Sequence, residues 1–254
     1  NDDPPMHEQS CVCCLMDLDP SLFSVRLFLR GSDSTADLGK RIGEWGCSVF
    51  ADPAFIIALS GLKNDAESIM NGIVSASPAD TPCFGGIAGD DSEFVNNYVF
   101  SEQGVSADGV VVLVIDHSHA DISGICTSGW VGVGSEMTAT RSEGNVLFKL
   151  NDRPAADVVR EYLSVSNEEL VQVGVNFPFL VTRPDGSEVL RAFLSADFSE
   201  GSLIFAGNIP TGSHVKFSSS FGPETIVKTI NELRTFSSSS QTADLVLIFS
   251  CMAR

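Results

Sequence analysis

The hydrophobic and polar positions of the chain follow two periods in turn, one typical of strands and one typical of helices. Residues 1–23 show neither period and predict an irregular N-terminal arm, whereas residues 24–30 predict a strand. Residues 33–45 then repeat apolar side chains at helical spacing behind a capping Ser or Asp. A buried strand at 54–62 and a helix at 64–74 follow. This order predicts a right-handed crossover and a partly parallel sheet.

Beyond this point, short β segments separated by Gly, Asp and Asn predict antiparallel sheet. A helix is expected at 152–163, a second helix at 223–236, a Ser-rich hinge at 237–240 and a final strand at 243–251. The predicted fold class is α+β, with two strand-rich halves whose mixed β-sheets are flanked by helices. The other strands are predicted at 94–100, 109–116, 122–129, 135–144, 145–151, 177–183, 188–197, 201–207 and 214–220.

The charge of the chain narrows the classes of partner. Acidic residues outnumber basic residues by 33 to 15, which gives a formal net charge of −18. Such a surface repels phosphate backbones and anionic lipid, so we expect no nucleic-acid partner. The longest apolar runs, 110–115 and 245–249, are of strand length, whereas a bilayer span needs about 20 residues. We therefore expect no membrane insertion, and the N-terminus does not have the pattern of a signal peptide.

The cysteines indicate the compartment. Their number, seven, is odd, and Cys47, Cys83, Cys126 and Cys251 stand singly in or beside apolar segments. Free thiols that are buried in this way are typical of proteins in a reducing compartment. The prediction is a cytoplasmic location.

A glycine-rich stretch at 83–91, CFGGIAGDD, suggests a loop that approaches another group closely through Gly85 and Gly86. A phosphate-binding P-loop would place Lys and a hydroxyl residue after the last glycine, and two aspartates follow Gly89 instead. A dinucleotide site would continue into a helix, and this stretch continues toward a predicted strand. Two readings stay open, a tight connection between packed elements and a loop that contacts a ligand.

Two short clusters have residue types that bind metals. His117 and His119 lie between two aspartates, and the segment CVCC at 11–14 offers three thiols. A polar turn at a strand end explains the histidines more simply, and no second pair of cysteines follows at zinc-finger spacing. We expect no metal site and no cofactor.

Neither a GxSxG elbow nor an HExxH motif occurs in the chain. Cys251 could act as a nucleophile with a distant histidine, although single buried cysteines are usually inert. Arg183, Arg191 and Arg254 lie within or just beyond apolar strands. A buried guanidinium requires either a carboxylate of the protein or a bound anion, and both alternatives stay open.

Several segments together resemble the FIST domain, an intracellular ligand-sensing module of signal transduction proteins that also occurs in some F-box proteins. The resemblance begins around Ser24 and extends to the last residue. No single segment is highly specific, but their order over most of the chain is. The segments that carry it are CFGGIAGDD, VSADGVVVLVI at 105–115, residues 127–163, residues 190–217 and LVLIFSCMAR at 245–254.

The resemblance implies an N-terminal FIST region at 24–151 and a C-terminal FIST region at 152–254. It implies a non-catalytic sensory protein that binds a small polar ligand such as an amino acid or organic acid and relays the signal to an output domain or protein partner. Family members normally continue beyond FSCMAR into another helix and a final strand, so the C-terminal region is expected to be incomplete.

The motifs of the resemblance lead to a candidate ligand site. Gly85 and Gly86 are expected to provide backbone contact, Arg191 and Arg254 to bind an anionic group, and Cys251 to form a pocket wall. Two other functions are considered. One is a thiol-dependent hydrolase with Cys251 as nucleophile, and the other is a protein-interaction platform whose acidic surface faces a basic partner.

Overall fold

The structure is a computed structural model that describes residues 13–60, 65–89, 97–174, 176–220, 222–239 and 242–250. Two main β-sheets, one in each half of the chain, organise these residues. The first half contains β1 (Phe23–Leu29), α1 (Thr35–Val49), β2 (Pro53–Ser60), α2 (Ala66–Ser75), β3 (Cys83–Ala88), β4 (Val99–Ser101), β5 (Gly104–Ser106) and β6 (Gly109–Asp116). The second half contains β7 (Val131–Glu143), β8 (Val146–Leu150), β9 (Arg153–Pro154), α3 (Ala155–Leu163), α4 (Asn167–Val173), β10 (Phe179–Thr182), β11 (Glu188–Arg191), β12 (Phe193–Asp197), β13 (Ser202–Phe205), β14 (His214–Ser219) and α5 (Gly222–Ser239).

The first sheet has the strand order β1-β6-β2-β3, and its β2 and β3 are parallel. The predicted partly parallel sheet is therefore confirmed, and so is the α+β class. In the simplest crossover arrangement, β1 and β2 would be neighbours. Here β6 lies between them and is antiparallel to both. Strand β6 is apolar almost throughout, with the sequence VVVLVI, and most of its residues are buried, as is typical of a strand that is covered on both faces.

Helices α1 and α2 pack closely because glycines lie at their contact. A Cβ atom built on Gly39 would lie 3.0 Å from the Cα of Gly72 in the facing helix. Ser34 caps α1 by accepting a hydrogen bond from the backbone N–H of Asp37 at 3.1 Å, and Asp65 caps α2. The helices and the first sheet share a buried apolar core: Phe28, Leu38, Ile42, Phe55, Ile57, Leu59, Ile69, Ile73, Val110, Val112 and Val114.

The second sheet has the order β11-β10-β14-β7-β8-β13-β12, with β9 beside β8, and all its strand pairs are antiparallel. Its core centres on phenylalanine rings: the centroids of Phe179 and Phe217 are 5.0 Å apart, and those of Phe193 and Phe205 are 5.9 Å apart. Helix α4 was not predicted. It begins with a capping box between Ser166 and Glu169, a signal that the sequence does contain.

Some predicted segments differ from the structure. Residues 122–129 are irregular rather than a strand, and the Thr127 hydroxyl donates a hydrogen bond to Glu232 of α5. Residues 237–239 continue α5 as helix, so the predicted hinge is wrong there. Residues 243–250 form no strand within the described part of the chain, and Phe249 packs its ring against Gly86.

The glycine-rich stretch CFGGIAGDD is a strand rather than a loop over its first six residues, which form β3. Gly85 pairs with Ile57 of β2, and a Cβ atom on Gly85 would overlap the carbonyl oxygen of Ile57. A Cβ atom on Gly86 would lie 3.0 Å from a ring carbon of Phe249. The close approach that the glycines permit is thus made to other parts of the protein. Asp90 and Asp91 lie outside the described residues.

Replacing Gly85 by Ala tests the packing of β3. The added methyl group meets the backbone of β2, which cannot move without disturbing the sheet, so we expect a loss of about 1–3 kcal/mol in the free energy of unfolding. Gly89→Ala is the matched control from the same stretch, because nothing lies within 4 Å of a Cβ atom there. Urea unfolding followed by circular dichroism measures both, and equal midpoints for the two variants would contradict this packing.

Candidate functional site

A cluster of charged side chains joins the two halves where α2 meets β11. Its acidic part comes from the start of α2, where acidic residues are favourable because the helix N-terminus carries a partial positive charge. Asp65 is the N-cap, and its carboxylate accepts hydrogen bonds from the backbone N–H groups of Glu67 and Ser68 at 3.1 and 3.2 Å. The side chain of Glu67, in the first turn, extends to the second half.

Two arginines of the second half share the carboxylate of Glu67. The Nη2 atom of Arg191 donates a hydrogen bond to Oε2 of Glu67 at 2.7 Å, and Nη2 of Arg183 donates to Oε1. The exposed fractions of the side chains are 16% for Arg191, 19% for Arg183 and 26% for Glu67. Each carboxylate oxygen therefore has its own guanidinium in a mostly buried setting, where such pairs are screened less than on the surface.

Backbone groups hold Arg191 in place independently of Glu67. Its Nε atom donates to the carbonyl oxygen of Asn208 and its Nη1 atom to that of Leu190, both at 3.1 Å. A Cβ atom on Gly207 would lie 2.9 Å from the guanidinium carbon, so a glycine leaves room for the planar group. The side-chain amide of Asn208 also donates to Asp65 at 3.3 Å and adds a second link between the halves.

The electrostatics of the cluster are balanced. Burial lowers the pKa of Arg191, the negative charge of Glu67 opposes that change, and the nearby positive charge of Arg183 adds to it. A guanidinium stays protonated at neutral pH even so. Asp65 and Glu67 together balance the two arginines in formal charge. Chemically, the arrangement is suited to bind a carboxylate through paired guanidinium groups.

Of the predicted site residues, Arg191 lies in this cluster. Arg191 pairs with a carboxylate of the protein, which is one of the two alternatives for its partner. The other alternative, a bound anion, stays a prediction. The atoms nearest to a Cβ atom on Gly85 belong to Ile57, and the atoms nearest to a Cβ atom on Gly86 belong to Phe249. Both glycines therefore lie against other parts of the protein. Cys251 and Arg254 lie outside the described residues.

Sequence reasoning did not find Glu67, Asp65 or Asn208. A local signal exists for the first two, since acidic residues at a helix start are easily recognised. Their partners are not local: Glu67 lies 116 residues from Arg183 and 124 residues from Arg191. With 33 acidic residues in the chain, no spacing rule selects Glu67 as the partner.

The histidine segment forms a turn after β6. The ring of His117 contacts the carbonyl oxygen of Ala120 at 3.1 Å, and Nδ1 of His119 lies 3.1 Å from a carboxylate oxygen of Asp116. Cys13 and Cys14 are exposed. Over the described ranges, no group of three or more His, Cys, Asp or Glu side chains is placed to hold a metal ion.

Comparisons with known proteins match the chain to two family models. A family model described as the FIST N domain matches residues 3–153, and one described as the FIST C domain matches residues 155–254. Searches of curated proteins and of solved structures found no match. None of the helices in the described residues is both long and apolar enough to cross a bilayer.

Removing the carboxylate of Glu67 tests the cluster. In Glu67→Ala the two arginines lose the carboxylate that both of them bind in a mostly buried site, so we expect a loss of about 2 kcal/mol or more in the free energy of unfolding. Glu161→Ala is the matched control, because Glu161 pairs with Arg153 at 2.7 Å on the surface. Urea unfolding measures both, and a loss no larger than that of the control would contradict a structural role for Glu67.

A second prediction concerns the reactivity of the thiol of Cys83, at the start of β3. Burial raises the pKa of its thiol to about 11, so at pH 8 only about one molecule in a thousand carries the reactive thiolate. We expect iodoacetamide to label exposed Cys126 much faster than Cys83 in the native protein, and both alike in urea. Peptide mass mapping over time gives the rates, and equal native rates would show that Cys83 is not protected.

Proposed function

Because the chain belongs to the FIST family, whose domains are signalling-related sensory domains, we propose that it binds a small polar ligand and relays that event to an output domain or protein partner. The ligand class that we propose is an amino acid or organic acid. In this proposal the protein acts by binding rather than by catalysis and works in the cytoplasm. The proposal gives Arg191 the role of binding a ligand carboxylate.

The guanidinium pair of Arg183 and Arg191 is the observation that supports this ligand class. Arginine forks match carboxylates in geometry and form two parallel hydrogen bonds, and partial burial makes each bond stronger than it would be in water. A carboxylate already lies between the two groups, as the distance of 2.7 Å from Glu67 to Arg191 shows. An amino acid would add an ammonium group, for which Asp65 offers a nearby carboxylate.

The position of the pair suggests how binding could be relayed. Both arginines belong to the second half of the chain, whereas Glu67 and Asp65 belong to α2 in the first half. A ligand that binds at this junction changes contacts of both halves. Because it binds one arrangement of the two halves more tightly, it shifts the population of protein molecules toward that arrangement. We propose that a partner recognises that arrangement, and the net charge of −18 favours a partner with a basic surface.

A thermal-shift screen of amino acids and organic acids tests the proposed function. A ligand at a hundred times its Kd adds about 2.7 kcal/mol, which raises the Tm of a domain of this size by about 5–10 °C. We expect such a rise in the wild type and in Arg153→Ala, whose arginine forms an exposed ion pair, but not in Arg191→Ala. A rise that persists in Arg191→Ala would remove this residue from the site, and no rise with any acid would contradict the proposed ligand class.

A further inference from the structure

We propose that Arg183 and Arg191 form a carboxylate-binding site that Glu67 occupies in this structure, and that a ligand carboxylate binds there by displacing it. This inference rests on the proposed function, because it describes how the same site takes its ligand. It adds Arg183 as a second ligand-binding residue and makes Glu67 an internal competitor. Neither role follows from the motifs of the sequence.

The geometry of the pair suits a free carboxylate as well as that of Glu67. Arg183 donates to one oxygen of Glu67 and Arg191 donates to the other, so the two guanidinium groups converge on a single carboxylate. Any carboxylate in that place would receive the same two charge-assisted hydrogen bonds. The exchange therefore conserves the strongest interactions of the site.

Arg191 does not need Glu67 to stay in its binding position. The carbonyl oxygens of Asn208 and Leu190 hold its Nε and Nη1 atoms at 3.1 Å, and Nη2 is the atom that faces Glu67. Because the guanidinium is oriented in advance, an incoming carboxylate does not have to bear the cost of ordering it. The part of the site that Arg191 provides is thus preformed.

Glu67 is free to leave without loss of the helix start. The cap of α2 is Asp65, whose carboxylate accepts the backbone N–H of Glu67 at 3.1 Å, and this bond does not involve the Glu67 side chain. Of the three paired side chains, Glu67 is also the most exposed, at 26% against 19% and 16% for the arginines. A rotation toward solvent would hydrate its carboxylate and open the guanidinium pair.

Displacement of Glu67 has a consequence for both halves of the chain. The bonds from Glu67 to Arg183 and Arg191 tie α2 to the second half, and a free ligand that replaces Glu67 satisfies the arginines without being attached to α2. Ligand binding then releases this tie, whereas the bond of 3.3 Å from Asn208 to Asp65 does not involve Glu67 and stays. Competition with Glu67 also lowers the apparent affinity, since only the fraction of molecules with an open site can bind.

Isothermal titration of the full chain with succinate tests the exchange, with the uncharged succinamide as the control ligand. In Glu67→Gln the competing charge is gone, so we expect the Kd for succinate to fall by about tenfold or more relative to wild type. Glu161→Gln, which alters a surface ion pair, should keep the wild-type Kd. Adding Arg183→Ala to Glu67→Gln should abolish the gain, and succinamide should not bind any variant.

The outcomes separate this inference from the proposed function. If a ligand stabilises the wild type through Arg191 but Glu67→Gln binds succinate no more tightly than wild type, the exchange is overturned and the proposed function stands. If no acid stabilises the wild type while Glu67→Gln binds succinate through Arg183, the exchange site stands and the proposed function fails. Absence of binding in every protein overturns both.

A second variant covers the case in which Glu67→Gln does not fold, which circular dichroism will show. Glu67→Asp keeps the charge but shortens the side chain by one methylene group, so its carboxylate competes less well for the guanidinium pair. We expect its Kd for succinate to be lower than that of wild type. A Kd equal to or above that of wild type overturns the exchange.

Discussion

One carboxylate, that of Glu67, receives hydrogen bonds from two mostly buried guanidinium groups, and the junction between the halves of the chain depends on it. Each half has an apolar core of its own, so neither core requires the other to be complete. The contact between them can therefore be polar and specific. An ion pair in such a place contributes less net stability than apolar packing would, but it requires a matching carboxylate.

The two sides of the junction are built differently. In the second half, backbone carbonyl oxygens fix Arg191, and Gly207 leaves room for its guanidinium. In the first half, Glu67 lies on the first turn of a helix that is already capped by Asp65. A guanidinium group that backbone oxygens hold in place thus faces a carboxylate whose own helix is capped by another residue. In the proposed function, this asymmetry lets ligand binding in one half change its contact with the other.

The glycines of β3 show that a glycine-rich sequence marks a close approach without identifying the group that approaches. The stretch CFGGIAGDD does mark a close approach, as its composition suggests, yet the approaching groups are the backbone of Ile57 and the ring of Phe249. Phe249 comes from the far end of the chain, so the last described segment packs on the first sheet. Glycine in a strand permits such contact regardless of whether the neighbour is a ligand or the protein itself.

Local patterns were sufficient for most helices and strands and for the α+β class, because the periods of 3.6 and 2 residues depend only on which side of an element is buried. They also identified Arg191 as a guanidinium in need of an anionic partner. They did not place β6 between β1 and β2, and they did not select Glu67 among the 33 acidic residues. Strand order and the pairing of charges more than 100 residues apart arise when the chain folds back on itself, and no local period records them.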